Sequence, residues 1–166
     1  MRFKTFGPAL VVLASATVAA AQPTKVSGTL QCGKPEAQQA IPAADSSDHI
    51  FSIVKVNCNW TKPLELGGTR TKDGTSTGFD EIKGNTSKGH GEHVSTAATG
   101  EKTFVRYQGS STYKDGAPQT AEGTWSYTGG TGKLAGIKGK GTYKGKTNPD
   151  GTITYAVEGE YELPNK

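Results

Sequence analysis

Cysteine and methionine are nearly absent from this chain of 166 residues, which contains only Cys32, Cys58 and a single methionine. Two cysteines are too few for a structural zinc site, which takes four ligands. Net charge is also small. Without Arg2 and Lys4 of the N-terminal segment, 17 basic residues stand against 15 acidic ones, a net charge of +2. Because the lysines are spread along the chain, we expect no binding to nucleic acid or to an anionic membrane.

Long apolar stretches are missing after residue 21, and leucine is scarce, whereas the chain has 23 glycines and many threonines. This composition favours strands and turns over helices. The largely apolar run at residues 6–16 follows a short basic start and precedes three alanines at 19–21. That order predicts a signal peptide over residues 1–21, cleaved after Ala21 rather than kept as a membrane anchor. Residues 22–166 would then form one domain of a secreted or periplasmic protein, with no stable membrane insertion.

The two cysteines are predicted to form a disulfide, because an exported protein with an even number of cysteines commonly pairs them. The alternative is two buried free thiols. A Cys32–Cys58 bridge would stabilise the fold by ~3–4 kcal/mol through the entropy of the unfolded chain.

The C-terminal part of the chain has the clearest periodicity. Between residues 152 and 163 the odd positions are apolar or glycine, and the even positions are polar, acidic or alanine. Residues 139–145 alternate glycine or tyrosine with lysine or threonine. Each pattern is typical of a strand with one dry face, and the Asn-Pro-Asp-Gly sequence at 148–151 predicts a tight turn between them.

The N-terminal half is less regular. Residues 48–58 carry apolar side chains on both faces, which predicts a strand covered on both sides. Residues 33–48 are expected to form a loop with one helical turn at 36–40. In the polar, glycine-rich segment 67–100 we expect strands near 75–82 and 92–97, with a mobile connection at 84–91.

The fold class that follows is all-β: a single antiparallel eight-stranded β-barrel, with a β-sandwich as the alternative. Seven or eight strands are expected, and no long helix. Four glycines lie on the apolar faces of their strands, where they allow the bending that a closed barrel needs: Gly123, Gly139, Gly141 and Gly159.

Three segments carry a resemblance to a known family: residues 89–96, 100–109 and 129–143. Together they resemble bacterial exported proteins of the allene oxide cyclase-like barrel group, which is related to plant allene oxide cyclases and dirigent proteins. The resemblance covers roughly residues 75–163. It implies an eight-stranded antiparallel barrel with an apolar cavity. Plant members cyclise a fatty-acid epoxide or orient phenolic radicals, and only the fold is carried over to this chain.

Aromatic residues share the predicted inward faces: Tyr107, Trp125, Tyr127, Tyr143, Tyr155 and Tyr161. Filling of the barrel would explain any one of them. Several buried tyrosines are unusual, however, because each hydroxyl needs a hydrogen-bond partner. Hydroxyls that converge in an apolar cavity would suit a ligand with a few polar groups, so all but Tyr161 are predicted cavity residues. Arg106 lies on the face opposite Tyr107 and is a predicted carboxylate anchor if that face is internal.

Two other motifs are explained without a cofactor or a metal. The Gly-x-Gly-x-x-Ala sequence at 130–135 lacks the long helix of a dinucleotide-binding unit, because Gly136 and Gly139 would interrupt it. His90 and His93 flank Glu92, but positions three apart on a strand point to opposite faces, so no metal site is expected.

The sequence shows no nucleophile with an adjacent base and no carboxylate pair, and His49 is the only candidate base. This favours a cofactor-free binding protein for a small apolar or aromatic ligand. A cyclase or isomerase acting on a lipid-like or phenolic substrate is the second hypothesis. A structural or surface protein with a filled barrel is the third. The ligand and the oligomeric state stay open.

Overall fold

A computed structural model describes residues 22–164, so the predicted signal peptide lies outside the described residues. The strands follow one another in the order β1 (Thr24–Cys32), β2 (Ala37–Pro42), β3 (His49–Lys62), β4 (Glu65–Leu66), β5 (Thr69–Lys83), β6 (Thr86–Ala97), β7 (Lys102–Lys114), β8 (Ala117–Gly130), β9 (Lys138–Thr147) and β10 (Ile153–Glu162). Within these residues the only helical element is a 3₁₀ turn at Gly132–Leu134. None of their helices is long and apolar enough to cross a membrane.

Eight of the strands close into an antiparallel barrel. The hydrogen-bonded order is β3, β1, β10, β9, β8, β7, β6 and β5, and the pairing of β5 with β3 completes the ring. Closure satisfies backbone groups that an open sheet would leave unpaired at its edges. The predicted eight-stranded barrel is therefore confirmed, and the sandwich alternative is wrong. The short strands β2 and β4 are additions that pair with β3 and β5.

Two hydrophobic clusters stabilise the barrel. The first occupies the middle of the interior around Leu30, Trp125 and Val157. It includes the predicted disulfide, which is confirmed: Cys32 on β1 and Cys58 on β3 are bonded at an S–S distance of 2.05 Å. The second cluster caps the end of the barrel where β5 begins, with these buried residues: Leu64, Leu66, Leu134, Ile137 and Tyr161. The opposite end carries the short turns between β5 and β6, β7 and β8, and β9 and β10.

Three sequence-based expectations are wrong. The predicted helical turn at 36–40 falls on strand β2, where Ala37–Pro42 pairs with β3 and gains its hydrogen bonds from that neighbour. The predicted mobile connection at 84–91 is a tight turn followed by β6, which starts at Thr86. The apolar outer face of β3 is not covered, since Ile53 is 54% exposed.

The glycines of β6 explain why the first half of that strand was missed, whereas its second half was predicted near 92–97. Gly89 and Gly91 alternate with Lys88 and His90 and point into the barrel. At both positions a methyl group would collide with a side chain of a neighbouring strand. Tertiary crowding therefore requires small residues that lower the intrinsic strand propensity.

Candidate functional site

A polar row crosses the inner wall of the barrel. Asp80 on β5, Gly89 on β6, Gly109 on β7, Gly123 on β8 and Tyr143 on β9 are successive register partners. The three central glycines have no side chains, so Asp80 and Tyr143, at the two ends of the row, extend across them towards each other. A methyl group at Gly89 would collide with Asp80 Oδ1, and one at Gly123 would lie 2.6 Å from Tyr143 Oη. The Asp80 carboxylate therefore lies over β6, and the Tyr143 hydroxyl lies over the neighbouring strand β7.

Two further tyrosines meet at the same place. The ring of Tyr107 crosses Gly91, and its hydroxyl lies 2.6 Å from where a methyl group at Gly78 would be, next to Asp80 in the same strand. Tyr143 packs edge-to-face on Tyr107, with ring centroids 6.2 Å apart, and on Tyr155, with centroids 5.9 Å apart. Edge-to-face contact of this kind is a favoured aromatic geometry.

The pKa shifts show that these groups share one environment. Burial raises the pKa of Tyr143 to about 12, and the nearby Asp80 charge adds to that shift. Burial is also the main cause of the raised pKa values of Tyr107, Tyr113 and Tyr155, and the charge of Asp80 contributes to each. All four phenols are therefore neutral hydrogen-bonding groups around one carboxyl group at ordinary pH.

Asp80 has no counter-ion at ion-pair distance among the residues that the structure describes. Burial raises the pKa of its carboxyl group, against the opposing effects of a 3.3 Å hydrogen bond from the Ser87 hydroxyl and of nearby His90. No ion pair of the described chain involves Asp80. By strand alternation it is also the only Asp, Glu, Lys or Arg on the inward faces of the eight barrel strands.

The tyrosine hydroxyls border accessible space. Within residues 22–164, no protein hydrogen bond is made by the hydroxyls of Tyr107, Tyr143 and Tyr155, yet every fully enclosed polar side-chain atom has a partner. These hydroxyls are therefore within reach of a water-sized molecule. An interior with reachable phenols and one carboxyl group can donate and accept hydrogen bonds to a ligand.

Of the other predicted cavity residues, Trp125 and Tyr127 lie on the side of this group nearer the capped end. Trp125 is 6% exposed, and its Nε1 donates to the carbonyl oxygens of Thr142 and Glu158, both at 3.2 Å. Tyr127 packs against it with ring centroids 5.1 Å apart. Tyr161 belongs to the cap, where its hydroxyl accepts a 3.0 Å hydrogen bond from the Gly67 N–H.

Arg106 does not join the interior group. Its side chain is 68% exposed on the outer face of β7 and pairs with Glu92 at 3.5 Å. Strand alternation places it opposite Tyr107, and the tyrosine side is the internal one, so the condition for an interior carboxylate anchor is not met. Arg106 instead lines a groove of about 1430 Å³ along the outside of the barrel, together with Lys25, Lys140 and Glu160.

The three histidines occupy separate sites. His93 is buried inside the barrel, where Ser76 Oγ lies 2.7 Å from Nδ1 and Ser95 Oγ 2.9 Å from Nε2. Burial lowers its pKa to about 4. His90 lies exposed on the opposite face of the same strand, as alternation predicts. His49 lies at the start of β3, away from the interior, with Asp45 Oδ1 at 2.6 Å and Glu81 Oε1 at 3.0 Å.

Sequence reasoning missed Asp80, Ser87 and Tyr113. Asp80 and Ser87 fall in the segment with few apolar residues, and neither belongs to a catalytic motif. The sequence did carry one signal of these positions, the inward glycines at 78, 89, 91, 109 and 123. Each of them is covered by a polar or aromatic side chain from another strand. That signal becomes interpretable only once the strand register is known.

Comparisons with known proteins add a fold likeness only. No protein-family model matches this chain, and no curated protein matches its sequence. Among solved structures, the chain is similar to the pterocarpan synthase dirigent protein GePTS1, with 8% sequence identity and a TM-score of 0.40. The match covers 89% of this chain and 90% of that one. The chain is thus distantly similar in structure to a dirigent protein.

Proposed function

We propose that this protein binds a small molecule with an apolar or aromatic body in the barrel interior beside Asp80. The tyrosine rings supply apolar contact area, and the hydroxyl and carboxyl groups orient the ligand through hydrogen bonds. The single observation that carries the proposal is the set of reachable tyrosine hydroxyls, without hydrogen-bond partners among residues 22–164, around a half-buried carboxyl group. Such groups would be costly in a solid core, where unpaired polar atoms are rarely tolerated.

A pair of tyrosine variants tests this function. Tyr143→Phe removes a hydroxyl that makes no hydrogen bond within the described part of the chain, so the free energy of unfolding should change little. Affinity for a phenolic or other polar aromatic ligand should fall by about fivefold or more. Tyr161→Phe is the matched control. It loses the hydrogen bond from Gly67 in the cap, which should cost about 1 kcal/mol of stability and leave affinity unchanged.

The binding measurement uses the mature, disulfide-bonded protein and isothermal titration calorimetry against neutral aromatic alcohols of increasing size. Native mass spectrometry of protein purified from its own host gives a second test, because a bound molecule should add mass at one equivalent. Equal affinities for wild type and Tyr143→Phe, or no binding of any aromatic compound, would contradict the proposal and favour a structural role.

A second candidate function is acid–base catalysis of a cyclisation or isomerisation. The raised pKa of Asp80, caused mainly by burial, brings this carboxyl group closer to the range of a general acid or base. Asp80→Asn separates the two functions. An enzyme would lose turnover of a bound substrate in this variant while still binding it, and a binding protein would return its ligand chemically unchanged from both forms.

A further inference from the structure

Building on the proposed ligand-binding function, we infer that the interior site selects a positively charged organic amine, with Asp80 as its counter-ion and tyrosine rings around the ammonium group. The inference concerns the charge of the ligand, which the binding function leaves open. It rests on the charge distribution across the barrel wall and on the aromatic geometry around Asp80.

The basic residues of the barrel strands lie on the outer wall, whereas Asp80 lies on the inner wall. Lysine and arginine residues of the eight barrel strands take outward positions, as Lys140 and Lys144 of β9 do, whereas Tyr143 of the same strand faces inward. Among residues 22–164, Asp80 therefore makes no ion pair on the inner wall, and the nearby His90 lies on the outer face of β6. An ionised carboxylate with reduced access to water is costly unless it is paired. A cationic ligand would supply the missing partner, and an anionic ligand would meet repulsion.

The aromatic surroundings favour the same charge. Tyr143 contacts Tyr107 and Tyr155 edge-to-face, so its ring is inclined by 88° to the first and by 74° to the second. Aromatic faces attract cations through the ring quadrupole, and ammonium groups are recognised by several such rings together. The phenols stay neutral because burial raises their pKa values. They therefore add no competing negative charge, and their hydroxyls can accept N–H hydrogen bonds.

A neutral phenol or alcohol would use fewer of these features. It could donate one hydrogen bond to Asp80, but it would leave the carboxylate charge unpaired and would gain nothing from the ring quadrupoles. The difference between amine and alcohol on the same carbon frame therefore isolates the inferred preference from the general affinity for an aromatic body.

The test compares 2-phenylethylamine, 2-phenylethanol and phenylacetate, which share one frame and differ in charge, by calorimetry at pH 7.5 on the mature protein. We expect the amine to bind at least about tenfold more tightly than the alcohol, and the acid more weakly than either. Asp80→Asn, which keeps the size of the side chain, should bring the amine to the level of the alcohol.

Glu92→Gln is the matched control. It removes a carboxylate from the outer face of β6, where Glu92 pairs with Arg106, and should leave the preference for the amine unchanged. Thermal unfolding of each variant verifies that it is folded. If the alcohol binds wild type as tightly as the amine, or if Asp80→Asn keeps the preference, the charge inference is overturned while the binding function stands. If none of the three compounds binds while a larger aromatic alcohol does, the charge inference is likewise overturned; if no aromatic compound binds at all, the binding function itself fails.

Discussion

The buried His93 should make the stability of the barrel fall between neutral pH and pH 5. Its side chain is enclosed between Ser76 and Ser95, and burial lowers its pKa to about 4 from the ordinary 6.5. In the unfolded chain this histidine takes up a proton below about pH 6.5, while in the folded protein it stays neutral until about pH 4. The unfolded state is therefore favoured progressively as the pH drops through this window.

The size of this pH-dependent loss of stability follows from the shift in the pKa of His93. A difference of roughly 2.5 pKa units corresponds to about 3 kcal/mol when the pH lies below both values. Lowering the pH from 7 to 5 should remove about 2 kcal/mol of that total, since at pH 5 the unfolded histidine is almost fully protonated and the folded one is not. Burial of Asp80 acts in the opposite direction, because its folded pKa is raised, so the contribution of His93 must be obtained as a difference between variants.

The assay is urea-induced unfolding followed by tryptophan fluorescence at pH 7, 6 and 5 and constant ionic strength, with the disulfide intact. His93→Gln keeps a hydrogen-bonding side chain and removes the titration. Its loss of stability between pH 7 and pH 5 should be smaller than that of wild type by about 2 kcal/mol. His90→Gln, on the exposed face of the same strand, should retain the wild-type slope. If wild type and His93→Gln lose stability in parallel, the argument is refuted.

Three other outcomes are expected. Gly123→Ala should cost about 1–3 kcal/mol by urea unfolding, because the new methyl group meets a tyrosine ring and a carbonyl oxygen, whereas Gly33→Ala, with nothing closer than 3.6 Å, should be tolerated. Replacing Cys32 and Cys58 together by serine should cost about 2–4 kcal/mol, and non-reducing peptide mapping should recover the bridge in wild type; a double variant as stable as wild type would contradict this. The intact mass of protein from its own host should begin at Gln22, and a retained N-terminal methionine would disprove export with cleavage.

The site was only partly predictable because its parts carry different kinds of information. The shared inward face of Tyr107, Tyr143 and Tyr155 was predicted from period-2 alternation, because successive residues of a strand point to opposite faces of the sheet. Which of the two faces points into the barrel, however, cannot be read from the strand alone. Arg106 and Tyr107 lie on opposite faces, and only the closed barrel decides which of them is internal. Asp80 was missed because an isolated aspartate in a glycine- and threonine-rich segment looks like a solvated surface residue.

By itself the sequence determined the class of fold, the turn at 148–151, the final hairpin and the pairing of Cys32 with Cys58. These depend on local periodicity, turn chemistry and the count of cysteines. Tertiary structure alone decided the strand character of β2, the full length of β6 and the meeting of Asp80 with Tyr143 across Gly89, Gly109 and Gly123. The reason is that register joins residues from five strands in one row, and register is set by the closure of the whole barrel rather than by any single strand.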